Sequence, residues 1–150
     1  MGTEDRVVFY RIAKEYDILT GVYNGNDILS DVDYKVREAY HPMPWQDPKL
    51  KDVTIKHWTY FAFVDLDQMF SWICVRDDIF QKLENESYCV WEIDVTDFEH
   101  DKGDTQALFD VSAIKRVKDF AHMPKKITFA EIRQTVGDAH IAKFFNRMRS

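Results

Sequence analysis

The chain of 150 residues has few of the residues that build specialised frameworks: five glycines, four prolines and two cysteines. Because the glycines never form a Gly-rich motif ahead of a helix, the sequence has no phosphate-binding loop. Cys74 and Cys89 match no metal or redox spacing, and we expect both to be reduced core residues. No apolar run approaches membrane-spanning length, and the acidic start differs from a basic signal peptide. These absences predict a soluble, cytoplasmic protein with no membrane contact and a single domain, residues 1–150.

Motifs for hydrolysis and metal binding are also missing. There is no Gly-x-Ser-x-Gly elbow, and neither cysteine lies in an electropositive setting that would activate it. The histidines stand at no recognised ligand spacing. The acidic loop Thr96–Thr105 lacks the glycine and the glutamate that a calcium-binding loop needs at fixed positions. We therefore expect no metal, and the loop is better explained as a solvated turn.

Apolar and aromatic residues are abundant, at 45% and 15% of the chain, which indicates a folded protein. The formal charge is −6. Because phosphate binding needs clustered lysines and arginines, this charge excludes general nucleic-acid binding but leaves room for a small local site. An acidic surface also favours a basic protein partner.

The clearest structural signal is a strand that leads directly into a helix, over residues 58–75. The stretch Trp58–Val64 is nearly all aromatic or apolar, as in a buried strand. Asp65 is a good helix N-cap, and Gln68 stands three positions later as in a capping box. Val64 and Met69 are spaced as a hydrophobic staple.

The remaining pattern predicts an α+β fold with a twisted, mostly antiparallel sheet of five or six strands and C-terminal helices. Alternation and β-branched residues predict strands at 6–12, 88–95, 106–111 and 113–120. Helical spacing predicts helices from 26, over 76–86, after a capping box at 128 and from 138, with Gly137 as a C-cap. Residues 13–25 are predicted as a loop, and 41–48 as a stiff loop rich in proline.

Arg11 stands inside the first predicted strand, between Tyr10 and Ile12. Its side chain either points to solvent at a strand end or turns into a cleft where its five donors find a partner. His41, with Trp45 and Asp47, lies in the stiff loop, which either forms a pocket wall or crosses the surface with the tryptophan in the core.

An arginine and a carboxylate presented from strands rich in aromatics would suit a flat, anionic ligand. Arg11 could clamp a phosphate, Tyr10, Tyr60, Phe61 or Trp58 could stack on a ring, and Glu92 could hold ribose hydroxyls. Each assignment has a structural alternative. The aromatics could be core residues, and Glu92 could face solvent from the polar side of its strand.

Four short motifs occur in order along the chain: Phe9-Tyr10-Arg11-Ile12, Gly21-x-Tyr23, His41-Pro42-x-Pro44-x-x-Asp47 and Phe61-Ala62-Phe63-Val64-Asp65-Leu66-Asp67-Gln68-x-x-x-Trp72. In this order, over residues 7–120, they resemble a group of small bacteriophage-encoded proteins. Those proteins themselves resemble the ADP-ribosyltransferase (ART-like) fold.

The resemblance implies NAD as cofactor and assigns residues to it. Arg11 would contact a phosphate or ribose of NAD, and Tyr60 or Phe61 would stack on nicotinamide. Tyr10, Tyr23 and His41 fall within its motifs as further cofactor-binding candidates. The transferases carry their catalytic glutamate on a later strand, and the matching segment of this chain begins with Gln106 where a glutamate would be expected. Glu92 would then act as a displaced substitute for that glutamate. The Ser-Thr-Ser element of arginine-type transferases is replaced by Phe61-Ala62-Phe63.

Two functions follow from the resemblance. In the first, the protein binds NAD or a related nucleotide and transfers ADP-ribose to a host component. In the second, it is a non-enzymatic inhibitor that binds a host defence or regulatory protein or sequesters a nucleotide signal. Both place it in the host cytoplasm, and the sequence leaves its catalytic activity and its oligomeric state open.

Overall fold

A computed structural model describes residues 6–21, 47–74, 78–117 and 119–145 of the chain. The helix predicted from residue 26 and most of the stiff loop 41–48 lie outside these ranges. Within them, no helix has the length and apolar character that crossing a membrane requires.

The described strands form two antiparallel sheets, which confirms the predicted α+β class. The larger sheet has four strands in the order β2-β1-β4-β7, and the smaller has three in the order β3-β6-β5. Their bounds are β1 Val8–Lys14, β2 Asp17–Gly21, β3 Thr59–Ala62, β4 Tyr88–Asp94, β5 His100–Lys102, β6 Ala107–Asp110 and β7 Lys125–Ile127.

Strand β1 and strand β4 pair along their full lengths and form the centre of the larger sheet. Because side chains alternate between the faces of a strand, each cross-strand pair has both side chains on one face. Ile12 and Val90 belong to a core cluster shared with the helices. Phe9 and Ile93 belong to a second cluster, which they share with β3 and β6. The larger sheet is therefore buried on both faces.

The backbones of the two sheets are joined by a residue pair beside the end of β3. Tyr10 of β1 and Phe63, which directly follows β3, exchange both backbone hydrogen bonds, at N···O distances of 2.8 and 2.7 Å. Strand β2 pairs with the C-terminal end of β1, at Ala13 and Lys14. The sheets therefore diverge beside Arg11, between the Phe63 pair and the start of β2.

The described α-helices are α1 (Leu66–Ile73), α2 (Ile79–Asn85), α3 (Ser112–Lys115), α4 (Phe129–Val136) and α5 (Asp138–Phe145). The predicted N-cap of α1 is confirmed, since a carboxylate oxygen of Asp65 accepts a hydrogen bond from the Gln68 backbone N–H at 2.7 Å. The Gln68 side chain returns to the backbone N–H of Val64 at 2.9 Å. The strand-to-helix boundary is thus fixed by local side-chain bonds.

The helix signals near the C-terminus are also confirmed. The Thr128 hydroxyl accepts from the Glu131 backbone N–H at 3.1 Å, and Gly137 ends α4 with a positive φ of 95°. Helices α1, α2 and α4 contribute Phe70, Phe80 and Phe129 to the core cluster, where their rings pack at centroid distances of 5.0–5.9 Å.

Two predicted elements are wrong. The predicted loop 13–25 contains the end of β1 and all of β2, because a turn at residues 15–16 brings β2 back to pair with β1. The predicted strand 113–120 is instead helix α3 followed by a 3₁₀ helix, Phe120–His122. Asp110 accepts from the Ser112 N–H at 2.8 Å and turns the chain out of the sheet.

Gly103 occupies a site with no room for a side chain. A Cβ there would lie 2.5 Å from a carboxylate oxygen of Asp47, 2.6 Å from the backbone oxygen of Gln106 and 2.7 Å from the Leu50 side chain.

We expect Gly103→Ala to lower the free energy of unfolding by about 2 kcal/mol, because overpacked sites force the backbone to shift. Urea unfolding would measure the loss. Gly137→Ala is the matched control, since its positive φ is unfavourable to alanine but no atom lies within 4 Å of the added carbon. If Gly103→Ala lowered the free energy of unfolding no more than Gly137→Ala does, the loop around residue 103 would be able to shift and make room for the added carbon.

Candidate functional site

Arg11 is buried, with 5% of its surface exposed, so that the solvent-facing alternative for this side chain is wrong. Its guanidinium donates three hydrogen bonds to backbone carbonyl oxygens. The Nε atom reaches Ile18 at 2.9 Å and Nη2 reaches Leu19 at 3.0 Å, both in β2, while Nη1 reaches Phe61 in β3 at 2.7 Å. The side chain therefore connects the two sheets at the place where they diverge.

Two further contacts fix the guanidinium in place. Its carbon lies 5.1 Å from the centre of the Tyr60 ring, within the range of a cation–π interaction. On the other side, a Cβ at Gly21 would lie only 2.7 Å from Nη2. The structure thus brings together three of the predicted cofactor-binding residues, Arg11, Tyr60 and Phe61, although Phe61 takes part through its backbone oxygen.

Glu92 lies on the opposite face of the larger sheet from Arg11. Arg11 pairs with Trp91 across the β1–β4 ladder, and Glu92 pairs with Tyr10. Because neighbouring residues of a strand alternate in direction, Arg11 points toward the smaller sheet, and Glu92 points toward the side that carries the helices. The predicted arginine and carboxylate are thus separated by the sheet itself.

Tyr10 shares the face of Glu92, and the tyrosine is half-buried there. Burial raises the pKa of the Tyr10 phenol, and the negative charges of Glu92 and Asp65 raise it further. On its other side, Glu92 pairs with Lys125 of β7. These residues form a group distinct from the one around Arg11.

The other predicted site residues are placed elsewhere or lie outside the described ranges. Gln106 immediately precedes β6 and is 1% exposed, and its backbone oxygen accepts a hydrogen bond from the Gly103 N–H at 2.9 Å. Tyr23 and His41 lie outside the residues that the structure describes. Their predicted contact with a cofactor stays a prediction.

Asp47, which the sequence placed in a possible pocket wall, is completely buried. Its two carboxylate oxygens accept hydrogen bonds from the Lys49 N–H at 2.9 Å, the Thr105 N–H at 2.7 Å and the Thr105 hydroxyl at 2.8 Å. Burial alone would raise the pKa of Asp47, but these hydrogen bonds outweigh it and hold the pKa below its usual value. Asp47 therefore joins its own loop to the loop at Thr105, and both of its carboxylate oxygens are bonded within the fold.

Both cysteines are buried, as predicted for core residues, and they form no disulfide with each other. Burial raises the pKa of the Cys89 thiol to about 11, and the nearby charge of Lys126 only partly opposes this effect. A thiol of this kind stays protonated at neutral pH and is a poor nucleophile.

A polar cluster that the sequence did not predict lies where the 3₁₀ helix meets β4. The ring of His122 contacts a carboxylate oxygen of Asp119 through Nδ1 at 2.9 Å, and its Nε2 lies 3.9 Å from Asp94. Arg6 approaches the same Asp94 oxygen at 3.5 Å. That oxygen is buried and makes no hydrogen bond.

The pKa of Asp94 reflects these surroundings. Burial raises it, but hydrogen bonds from Thr96 and the positive charge of Arg6 lower it more, so that the carboxyl is ionised at neutral pH. The carboxylate thus lies between Arg6 and the ring of His122, at the place where the 3₁₀ helix meets β4.

The most unusual feature of the surface lies on the same 3₁₀ helix. Phe120 is 87% exposed and Met123 is 45% exposed. The sequence interpretation placed Phe120 at the end of a strand and so missed this surface. A usable signal was present, since residues 115–126 contain five lysines or arginines and a single carboxylate in a chain of net charge −6.

The model of one protein family, described as the Bacteriophage T4 Y00F protein family, matches residues 6–122 of the chain. No curated protein matches the chain, and no solved structure matches it. The matched region contains both sheets except β7, together with helices α1 to α3 and the 3₁₀ helix. Because the match covers more than half of the chain, the protein belongs to the Bacteriophage T4 Y00F protein family.

Proposed function

We propose that this phage protein acts without catalysis, by binding a host protein in the host cytoplasm and so blocking a defence or regulatory pathway. The observation that carries the proposal is the environment of Arg11, whose guanidinium is bonded to carbonyl oxygens of β2 and β3 on the face opposite Glu92. The alternative is the ADP-ribose transfer that the sequence resemblance implies.

Transfer from NAD would need a cationic clamp and an acid on the same side of the ligand. If Arg11 were the clamp, it would have to exchange three backbone hydrogen bonds for contacts to phosphate. Hydrogen bonds to a charged group contribute about 1.5–3 kcal/mol each, so that the exchange carries a high cost. Glu92 could then act on the ligand only from across the sheet. These two facts favour the non-enzymatic function.

Membership of a phage family supports a host component as the partner, because phage proteins work among host proteins. The described surface also offers large apolar side chains for an interface: Tyr16, Ile55, Trp58, Phe120 and Met123. Aromatic and methionine side chains are enriched where proteins bind one another.

A thermal unfolding experiment with NAD separates the two functions. A ligand that binds only the native state stabilises it by about 2.7 kcal/mol at one hundred times its dissociation constant. We expect no increase in the unfolding temperature with millimolar NAD or cyclic nucleotides. A clear increase, or transfer of label from NAD to a protein of a host lysate, would overturn the proposal.

The binding partner itself would be sought by purifying the tagged protein from bacterial host cells. We expect one host protein to co-purify at a fixed stoichiometry and to form the same complex when the two purified proteins are mixed. Calorimetry on the purified pair would measure the affinity. The absence of any stoichiometric partner would contradict the proposal, whatever the result with NAD.

A further inference from the structure

Phe120 begins the 3₁₀ helix, and Met123 directly follows its last residue. Such a helix has three residues per turn, so that side chains three positions apart eclipse each other. The turn is closed by the Met123 N–H, which donates to the Phe120 carbonyl at 3.3 Å. The two exposed side chains form one apolar projection, which we call the Phe120–Met123 knob.

The knob is held in place by contacts that do not involve its own side chains. Asp119 caps the turn through a hydrogen bond from the Ala121 N–H at 3.0 Å, and it contacts the ring of His122 at 2.9 Å. His122 in turn lies near Asp94 of β4. A projection that is already ordered before binding loses little conformational entropy when a partner covers it.

Three exposed cations lie near the knob, either in sequence or in the groove beside it. Lys115, Arg116 and Lys125 form no ion pair with another residue in the part of the chain that the structure describes. Lys125 and Met123 line the same shallow groove, together with Arg6 and two less exposed carboxylates, Glu92 and Asp94. Lys115 and Arg116 precede Phe120 by only four or five residues, which limits their distance from it.

We propose that the Phe120–Met123 knob and these cations form the docking surface for the host protein, which presents an apolar pocket with an acidic rim. This inference rests on the proposed function and names the surface and the chemistry of the partner. An exposed aromatic in the middle of a patch, with charges around it, is the usual arrangement of an energetic hot spot.

A protein fits the surface better than a polyanion or a membrane does. A nucleic-acid base would stack on the ring of Phe120, but it would leave the thioether side chain of Met123 without a matching pocket. Outside residues 115–126 the chain is strongly acidic, which repels phosphate backbones and anionic lipids. Acidic residues confined to the rim of a pocket on a partner protein would orient the two proteins and speed their association. They would not meet the repulsion that a phosphate backbone or an anionic lipid surface would meet.

Site-specific photo-crosslinking in host cells tests the surface. A photoreactive phenylalanine analogue would replace Phe120 in one version of the protein and Tyr16 in another. Tyr16 is a matched control, because it is an aromatic with 78% exposure in the turn between β1 and β2. That turn follows the opposite end of β1 from Val8, which lines the groove beside Met123.

We expect position 120 to crosslink to one host protein through an acidic, apolar surface, and position 16 to give no crosslink. The partner found at position 120 would then be purified for affinity measurements. We expect Phe120→Ala to weaken binding by about 30-fold or more, while the urea midpoint of unfolding stays unchanged.

Charge-reversal variants test the acidic rim of the partner. Lys115→Glu with Arg116→Glu should weaken binding by about tenfold and reduce its dependence on salt. Lys51→Glu with Lys143→Glu changes the net charge equally at exposed positions elsewhere and should leave the affinity unchanged.

The outcomes separate this inference from the proposed function. If a stoichiometric partner crosslinks at position 16 and not at 120, the surface is wrong and the proposed function stands. Crosslinks from position 120 to nucleic acid or lipid would overturn the surface in favour of those ligands. If no partner is found by either crosslinking or purification, the proposed function fails.

Discussion

Arg11→Met is expected to lower the free energy of unfolding by about 3 to 5 kcal/mol. The substitution removes three charge-assisted hydrogen bonds and leaves the carbonyl groups of Ile18, Leu19 and Phe61 without these donors in a partly buried place. Methionine fills much of the same space, so that the loss reports mainly on hydrogen bonding. Urea unfolding followed by circular dichroism would measure it.

Two controls make this measurement specific. Arg133→Met makes the same change at a partly exposed arginine that lies 5.1 Å from the Phe80 ring and pairs with Asp138, and it should cost no more than about 1 kcal/mol. Arg11→Lys keeps the charge but cannot direct planar donors at three carbonyl groups, so that an intermediate loss is expected. If Arg11→Met kept the stability of the wild type but lost nucleotide binding, Arg11 would instead be a ligand clamp.

Asp47→Asn is expected to cost about 2 to 3 kcal/mol. Both carboxylate oxygens of Asp47 accept hydrogen bonds, one from Lys49 and the other from Thr105. An asparagine offers one oxygen, and its amide group would face an N–H donor at the other position. The resulting unsatisfied donors are buried. Asp65→Asn is the matched control, because asparagine caps a helix about as well as aspartate and should leave stability nearly unchanged.

The cost of Asp47→Asn should also depend on pH. The folded pKa of Asp47 lies below its unfolded value, so that the carboxylate contributes stability fully above the unfolded pKa of about 3.9. That contribution is lost as the pH falls through the folded pKa. We therefore expect the stability difference between wild type and Asp47→Asn to be constant from neutral pH to about 5 and to shrink in more acidic solution. A difference that does not change with pH would mean that the charge of Asp47 is unimportant.

The sequence predicted the elements whose signals are local. The start of α1 at Asp65, the Thr128 cap of α4 and the Gly137 end of that helix each depend on residues within four positions of one another. Strands β1 and β4 were predicted from their β-branched and aromatic residues. Strand β2 was missed because Gly21 and the Asn24-Gly25 pair are turn signals in the sequence, whereas the pairing of this strand depends on β1.

The candidate site was much harder to predict, because it depends on which face of a strand each side chain occupies. Arg11 bonds to Phe61, fifty residues away, and no local pattern indicates that β3 ends beside β1. The two strands are joined by the Tyr10–Phe63 backbone pair and by this side-chain bond, and both contacts link residues about fifty positions apart.

The exposure of Phe120 could not be predicted from the sequence pattern either. Phe120 fits the alternation of a half-buried strand as well as it fits a turn, and only the hydrogen bond from Ser112 to Asp110 shows that the chain leaves the sheet before it. The accumulation of lysine and arginine over residues 115–126 was visible, but charge alone does not indicate an exposed aromatic beside it.

The junction beside Arg11 has a consequence for how the molecule opens. Moving the smaller sheet away from the larger one breaks both backbone bonds of the Tyr10–Phe63 pair and the Arg11 bond to Phe61 in the same step. Separation of the sheets would therefore break all three bonds at once and expose the apolar residues that the two sheets share. The described strands should behave as one cooperative unit, in which the amide protons of Tyr10 and Phe63 exchange with solvent only through global unfolding.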